Sequence, residues 1–484
     1  MVKLLISKGL RMKKRALLFN FFLIINVIVF GQKQNIKNYT LEDCIKIAID
    51  NNLSLKSSKN SERTASINYK QAKSNILPSL NGSYNIGVNN GRSVDPFTND
   101  FIEQRLVFSS ANLSLNATVF NGFRLLNSIK QNKLNAKAAQ LEVEQEKQNL
   151  ILSVTLAYLQ VLNNRDVLVL NKQRLQATNN QLKIQKDLYN QGRDNPADYT
   201  DLLGQKSLDE TSILSSEISL NNSKLELYRL MNLNDNIDLS TKEHLFNVNK
   251  YALTSDDVFN DALKSLATFK AREFRLEAAK KGVSIAKSQY IPEISLFGQL
   301  NTNYSSVAEL FTETGTSIVN TGDFITLNNQ DIPVQTNQRN FSSKKINYLD
   351  QFENNLNSVV GVSVRIPFFN GFRAKNNVAL EKVRVEESLV ALQRTQQEIK
   401  NAIKQVHFDM EAAFARYQSL QKQVIAFQKS FDINKVRFNN GVSNFLAYIT
   451  SKNNLENAKI NLSNAKYSYF LRIKVLEYYR GNSF

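Results

Sequence analysis

This chain is poor in the two residue types that most often serve thiol catalysis and zinc binding, cysteine and histidine. Its 484 residues include one cysteine, Cys44, and two histidines, His244 and His407. Thiol catalysis needs a base beside the sulfur, and a zinc site needs closely spaced His, Cys or carboxylate ligands. The histidines lie 163 residues apart, in no metal-ligand spacing, and with no other His and no second Cys a His-based dyad or a zinc site is hard to assemble. Cys44 takes an apolar position in "LEDCIKIA" and reads as a small buried hydrophobe. Both histidines read as solvated or satisfied structural groups. The chain is therefore read as no enzyme, with no catalytic, cofactor-binding or metal residues and no cofactor.

The first segment reads as an export signal. Lys13, Lys14 and Arg15 precede an apolar run from Ala16 to Phe30, and Val29-Phe30-Gly31 is a small-residue cleavage pattern. Residues 1–31 are assigned as signal peptide, with Met12 an alternative start to Met1. The formal charge of +18 includes six bases and no acid in that segment, leaving +12 beyond it. Such a balance suits anionic surfaces, but export argues against nucleic acid as a partner. No later apolar run is long enough for a membrane-spanning helix, which leaves a soluble product or a β-barrel.

The elements repeat. "TLEDCIKIA" at Thr40 aligns with "TSDDVFNDA" at Thr254, and "AKSNILP" at Ala72 with "AKSQYIP" at Ala286, both at an offset of 214. "FNGFR" at Phe120 recurs at Phe369, and Gly192 corresponds to Gly441, both at an offset of 249. Two homologous halves follow, 32–248 and 249–484, with 35 extra residues inserted in the second. In each, a proline heads a strand. Leu80, Gly82, Tyr84, Ile86 and Val88 alternate with polar residues, as do Ala111, Leu113, Leu115, Ala117 and Val119 on the return. The second half repeats this at Ile294, Leu296, Gly298 and Leu300, then at Val360, Val362, Val364, Ile366 and Phe368. About ten alternating residues is the length of a tilted strand crossing a bilayer. Strands are expected over about 79–89, 111–120, 293–304 and 357–369, and 90–110 and 305–356 are expected to be polar loops. Neither Gly nor Pro interrupts Phe123–Gln191 or Phe372–Asn440, 69 residues each, which predicts rods of roughly 100 Å. Val154, Val161, Leu168, Leu175, Leu182 and Tyr189 keep heptad spacing, as do Ile403, Met410, Tyr417, Val424, Phe431 and Phe438. Long helix pairs are expected over about 122–230 and 371–480.

A secreted coiled-coil stalk or adhesin would explain the helices but leaves four alternating strands without use. Four strands are too few to close a barrel, and lipid-exposed edges are not tolerated. Three copies would give twelve.

Over its mature length the chain resembles the TolC-like outer-membrane efflux proteins. The resemblance rests on "LEDCIKIAIDNN", the Pro-headed strands, the "FNG" junctions and the Tyr/Phe-x-x-Gly helix ends, all in duplicated order. It implies an α+β membrane protein in the outer membrane that extends into the periplasm. The fold would be a homotrimeric 12-stranded β-barrel, four strands per chain, continuous with a long α-helical coiled-coil barrel. The implied function is the exit duct of a tripartite export system, with a periplasmic adaptor (membrane fusion protein), an inner-membrane RND or ABC pump and outer-membrane lipid as partners. The same duct in type I protein secretion is the alternative.

Residue by residue, the resemblance places Gly192, Arg193, Asp194, Gly441, Val442 and Ser443 at the periplasmic tip that docks the adaptor. Asp198 and Asp201 have the spacing of a pore-narrowing carboxylate ring, although first-turn helix-dipole compensation explains them nearly as well. Ala447 and Thr450 replace them in the second half. Asn81, Ser83, Asn85, Asn112, Ser114 and Asn116 would line the barrel lumen. The alternative is a soluble sheet whose polar face meets solvent. At the strand-helix junctions, Asn121 and Asn370 would cap the helices, while Gly122 and Gly371 would allow close backbone approach.

Overall fold

A computed structural model describes residues 38–94, 99–103, 105–191, 195–233, 238–239 and 248–482. The expected signal peptide, His244, Gly192, Arg193 and Asp194 lie outside the described residues. The elements run β1 (Asn38–Tyr39), α1 (Leu41–Asn51), α2 (Leu53–Ser74), β2 (Ser79–Asn89), β3 (Arg92–Val94), β4 (Phe101–Glu103), β5 (Leu106–Asn121), α3 (Arg124–Asn190) and α4 (Pro196–Met231). They continue with β6 (Asp238–Leu239), α5 (Ser255–Ser265), α6 (Ala267–Lys287), β7 (Glu293–Ser305), β8 (Glu309–Leu327), β9 (Gln330–Lys345), α7 (Tyr348–Asn354), β10 (Asn357–Arg365), α8 (Arg373–Asn439) and α9 (Phe445–Arg480). The described residues form two compact units. One holds the chain up to Ser57, Gln145–Leu266 and the chain from Ile399; the other holds Ser58–Glu144 and Ala267–Glu398.

The helices carry the clearest mark of duplication. α3 and α8 each have 67 residues, and α4 and α9 each have 36. The first short helix of each half opens with a capping box, in which a threonine hydroxyl and an aspartate three residues on satisfy each other's free amides. Thr40 pairs with Asp43, and Thr254 with Asp257, at the same offset of 214. One turn inward, Cys44 and Val258 are fully buried, as are Ala48 and Ala262. The heptad positions face inward where the helices pair: Val154, Val161, Ile403 and Met410 are buried, as are Tyr448, Leu455, Tyr469 and Leu476 of α9. His407 receives a bond partner in the Leu253 carbonyl, 2.9 Å from Nε2, and is a satisfied structural histidine.

The other unit contains a four-stranded antiparallel sheet in the order β10-β7-β5-β2. Each half supplies one hairpin, and β5 pairs with β7 to join them. Directly paired residues point to the same face. One face therefore collects Leu80, Ile86, Leu113, Leu115, Leu296, Leu300, Val360 and Val362. These side chains stay open to the outside, with Ile86 at 68% and Val360 at 88% of full exposure. Asn81, Ser83, Asn85, Asn112, Ser114 and Asn116 share the opposite face. Among the described residues, no helix is long and apolar enough to cross a membrane.

Two expectations for the second half are corrected. β10 stops at Arg365, short of 369, because Pro367 has no N–H to continue the ladder. The segment 305–356, expected to be a polar loop, forms the long β8–β9 hairpin followed by α7. Its turn is Asn328-Asn329, both with positive φ (52° and 65°), the geometry that matches strand twist in a two-residue hairpin. Register shifts between Glu313 and Gly315 and between Asn320 and Phe324 break the apolar alternation that would have revealed it. In the first half, β5 begins at Leu106, five residues before the expected strand.

Candidate functional site

At each strand-helix junction the chain turns through two consecutive left-handed residues. Gly122 and Phe123 have φ of 62° and 63°, and Gly371 and Phe372 have 61° and 60°. Glycine takes this conformation without strain, whereas an aromatic residue rarely does. Each strained phenylalanine is held edge-to-face by the one three residues earlier, Phe120 to Phe123 at 5.4 Å and Phe369 to Phe372 at 5.6 Å. Asn121 is buried, and its Oδ1 accepts the Leu125 amide at 3.3 Å. Asn370 reaches the Ala374 amide at 3.5 Å, beyond the usual length of such a bond. The two glycines differ in surroundings. A Cβ on Gly122 would lie 2.8 Å from Ile291 Cβ and 3.1 Å from the Ser288 carbonyl, whereas a Cβ on Gly371 would meet nothing within 4 Å. Close approach is thus a feature of the first junction alone, and at Gly371 the requirement is the backbone angle.

At the hairpin ends, Gly441 has φ +69° and the Val442 amide bonds back to the Arg437 carbonyl at 2.8 Å, closing α8 with a left-handed stop. Val442 is exposed, and Ser443 is half-buried. The returning helices start on asparagine caps: Asn195 Oδ1 accepts the Ala197 amide at 3.1 Å, and Asn444 Oδ1 accepts the Ala447 amide at 3.0 Å. Pro196 fills the first turn of α4, where its missing N–H is not needed. Asp198 and Asp201 follow, the first half-buried and the second exposed. Tyr189 and Tyr199 stack at 5.2 Å across this end.

Above the ends the two hairpins are locked together, first by an apolar cluster and then by a buried polar chain. Leu202, Phe445 and Tyr448 form the cluster, with Leu182, Phe431 and Phe438 against it. Further along, Arg174 Nε lies 2.7 Å from Asp209 Oδ1, and the Thr178 hydroxyl donates to Asp209 Oδ2. Lys452 of α9 donates its ammonium to the same hydroxyl. Arg174 also reaches Asn457 and Asn453, at 3.2 and 3.3 Å. Asp209 is fully buried and Lys452 is 2% exposed. Burial pushes the Lys452 ammonium down to about 8; Asp209 pulls it back up and Arg174 adds to the lowering.

The FNG turns lead from strands β5 and, past Pro367, β10 into the long helices α3 and α8, and the sheet has one exposed apolar face. The family model described as "Outer membrane efflux protein" matches residues 44–233 and 258–474. The chain belongs to the outer membrane efflux protein family. As a member it is an outer-membrane channel of an export system, spanning the outer membrane and extending into the periplasm. It is 21% identical over 414 residues to the outer membrane protein TolC of Vibrio cholerae, covering 83% of this chain and 81% of TolC. Outer membrane efflux protein BepC of Brucella suis is 21% identical over 395 residues, covering 81% and 74%. The solved Campylobacter jejuni CmeC outer membrane channel superposes with a TM-score of 0.72 at 17% identity, covering 91% of this chain and 85% of that one.

Two features of this family member escaped sequence reasoning. The Arg174–Thr178–Asp209–Lys452 chain joins residues up to 278 positions apart, and no local pattern marks them. The left-handed phenylalanines did leave a signal, since a Phe follows the junction glycine in both halves.

Proposed function

We propose that three copies of this chain pool their sheets into one 12-stranded barrel whose polar face lines a water-filled exit duct. The observation that carries this reading is the sheet itself. It has four strands, and among the described residues the outer edges of β2 and β10 have no strand partner. An open edge is not tolerated in hydrocarbon, and closed single-chain barrels start at eight strands. Joining β10 of one copy to β2 of the next satisfies both edges, turns the exposed valines and leucines to lipid, and leaves the Asn and Ser side chains facing water.

The helix-hairpin ends at Gly192–Asp194 and Gly441–Ser443 would face a periplasmic adaptor, which delivers small molecules from an inner-membrane pump. Asp198 and Asp201 would then narrow the duct from the first hairpin alone. Chemical cross-linking in detergent tests the assembly. The ladder is expected to end at the trimer, and a ladder ending at the monomer or dimer contradicts it.

A further inference from the structure

The polar face of the sheet is not uniformly polar. Two phenylalanines stand on it, one in each half, and each is paired directly with a glycine. Phe108 of β5 faces Gly87 of β2, and Phe297 of β7 faces Gly361 of β10. In both pairs the glycine belongs to an edge strand and the phenylalanine to an inner one.

The rings lie down on these glycines. A Cβ on Gly87 would sit 2.7 Å from Phe108 Cζ and 2.9 Å from Cε1; on Gly361 it would sit 2.6 Å and 2.8 Å from the same atoms of Phe297. No other residue type leaves that space, and an aromatic ring laid over an edge glycine shields its backbone. Both rings are half-buried, unlike the wide-open side chains on the apolar face. Phe108 is also flanked by Ser305 and Phe297 by Asn116, small or short neighbours on the other side. Along β5, Phe108 and the partner of Phe297 are eight residues apart, about 27 Å, so the rings occupy two separate levels.

We propose that Gly87 and Gly361 set the bore of the duct by holding Phe108 and Phe297 flat against its wall, an inference that rests on the polar face being the lumen. Barrel width grows with strand number, and twelve strands fall between barrels filled by side chains and those with a wide channel. Upright, a phenyl ring reaches roughly 6 Å beyond its Cα by ordinary covalent geometry. With three copies, three rings would then crowd each level. Folded onto glycine, they leave the passage clear and give an Asn- and Ser-lined wall two flat apolar steps per chain, over which solutes with apolar or aromatic groups pass.

Single-channel conductance of the full-length protein in planar bilayers tests this. Gly87→Ala with Gly361→Ala is expected to lower conductance by about a third or more as the rings are lifted. Adding Phe108→Ala and Phe297→Ala to that variant is expected to restore it. Native conductance in the double glycine variant overturns the proposal. The phenylalanine pair changed alone gives an independent reading if the glycine variant fails to assemble. Because the rings already lie flat, their removal is expected to raise conductance by no more than about a fifth, and a doubling shows that they stand in the bore. Block of Asn112→Cys, in a Cys44→Ala background, by a charged thiol reagent keeps the two readings apart. Block there with native conductance in the glycine variant sinks the bore-setting role alone, whereas absence of block sinks the lumen assignment beneath it.

Discussion

Lys452 and Asp209, on α9 and α4, are joined through one hydroxyl: the ammonium donates to Thr178 Oγ1, which donates to Asp209. This buried charge pair ties the second helix hairpin to the first.

The pair makes stability depend on pH, and the sign follows from Lys452. Its folded pKa of about 8 lies below the ordinary 10.5, so between those values the unfolded chain holds the proton that the folded chain has lost. Stability therefore rises with pH across that window, by up to about 3 kcal/mol, and below pH 8 the full cost of burying the charge is present. Melting of the detergent-solubilised protein is expected to shift upward from pH 8 to 10 in the native chain and much less in Lys452→Met. Parallel melting curves would show that Lys452 titrates normally.

The anion can be removed instead. Asp209→Asn removes the carboxylate that faces both Arg174 and the buried Lys452, leaving Glu456 as a remaining anion near Lys452, and a loss of roughly 3 kcal/mol is expected. Urea unfolding measures it, and a change under 1 kcal/mol would mean that water already screens the site.

The two junction glycines should respond unequally to alanine. Gly371→Ala meets open space and should cost about 1 kcal/mol for its positive φ alone. Gly122→Ala adds a clash with Ile291 and the Ser288 carbonyl, and roughly 2 kcal/mol or more is expected. Equal losses in urea unfolding would refute the difference between the junctions.

Asp198→Ala with Asp201→Ala is expected to raise conductance or lower cation selectivity, because a ring of carboxylates both narrows and charges a pore. If both quantities stay at native values, the residues serve only the first turn of α4.

Much of the fold was legible because it rests on local chemistry. The 69-residue stretches without Gly or Pro became 67-residue helices, and the aligned stretches at Thr40 and Thr254 became the equivalent short helices α1 and α5. The strands showed themselves where alternation ran unbroken, as at Leu80–Val88. Where bulges interrupted it, at Gly315 and beyond Asn320, the β8–β9 hairpin read as loop. The candidate site was less legible. Phe108 fell outside the expected strand because β5 starts earlier than its clean alternation, and the partners of Lys452 come together only through helix packing.

Whether the Asn- and Ser-lined face encloses the duct is read most directly on β5. In a Cys44→Ala background, Ser114→Cys and Leu113→Cys place thiols on opposite faces of β5, and single-channel current is recorded while a charged, membrane-impermeant thiol reagent is added. Stepwise block at Ser114→Cys and steady current at Leu113→Cys are expected; block at Leu113→Cys with none at Ser114→Cys would contradict a lumen on the Asn- and Ser-lined face.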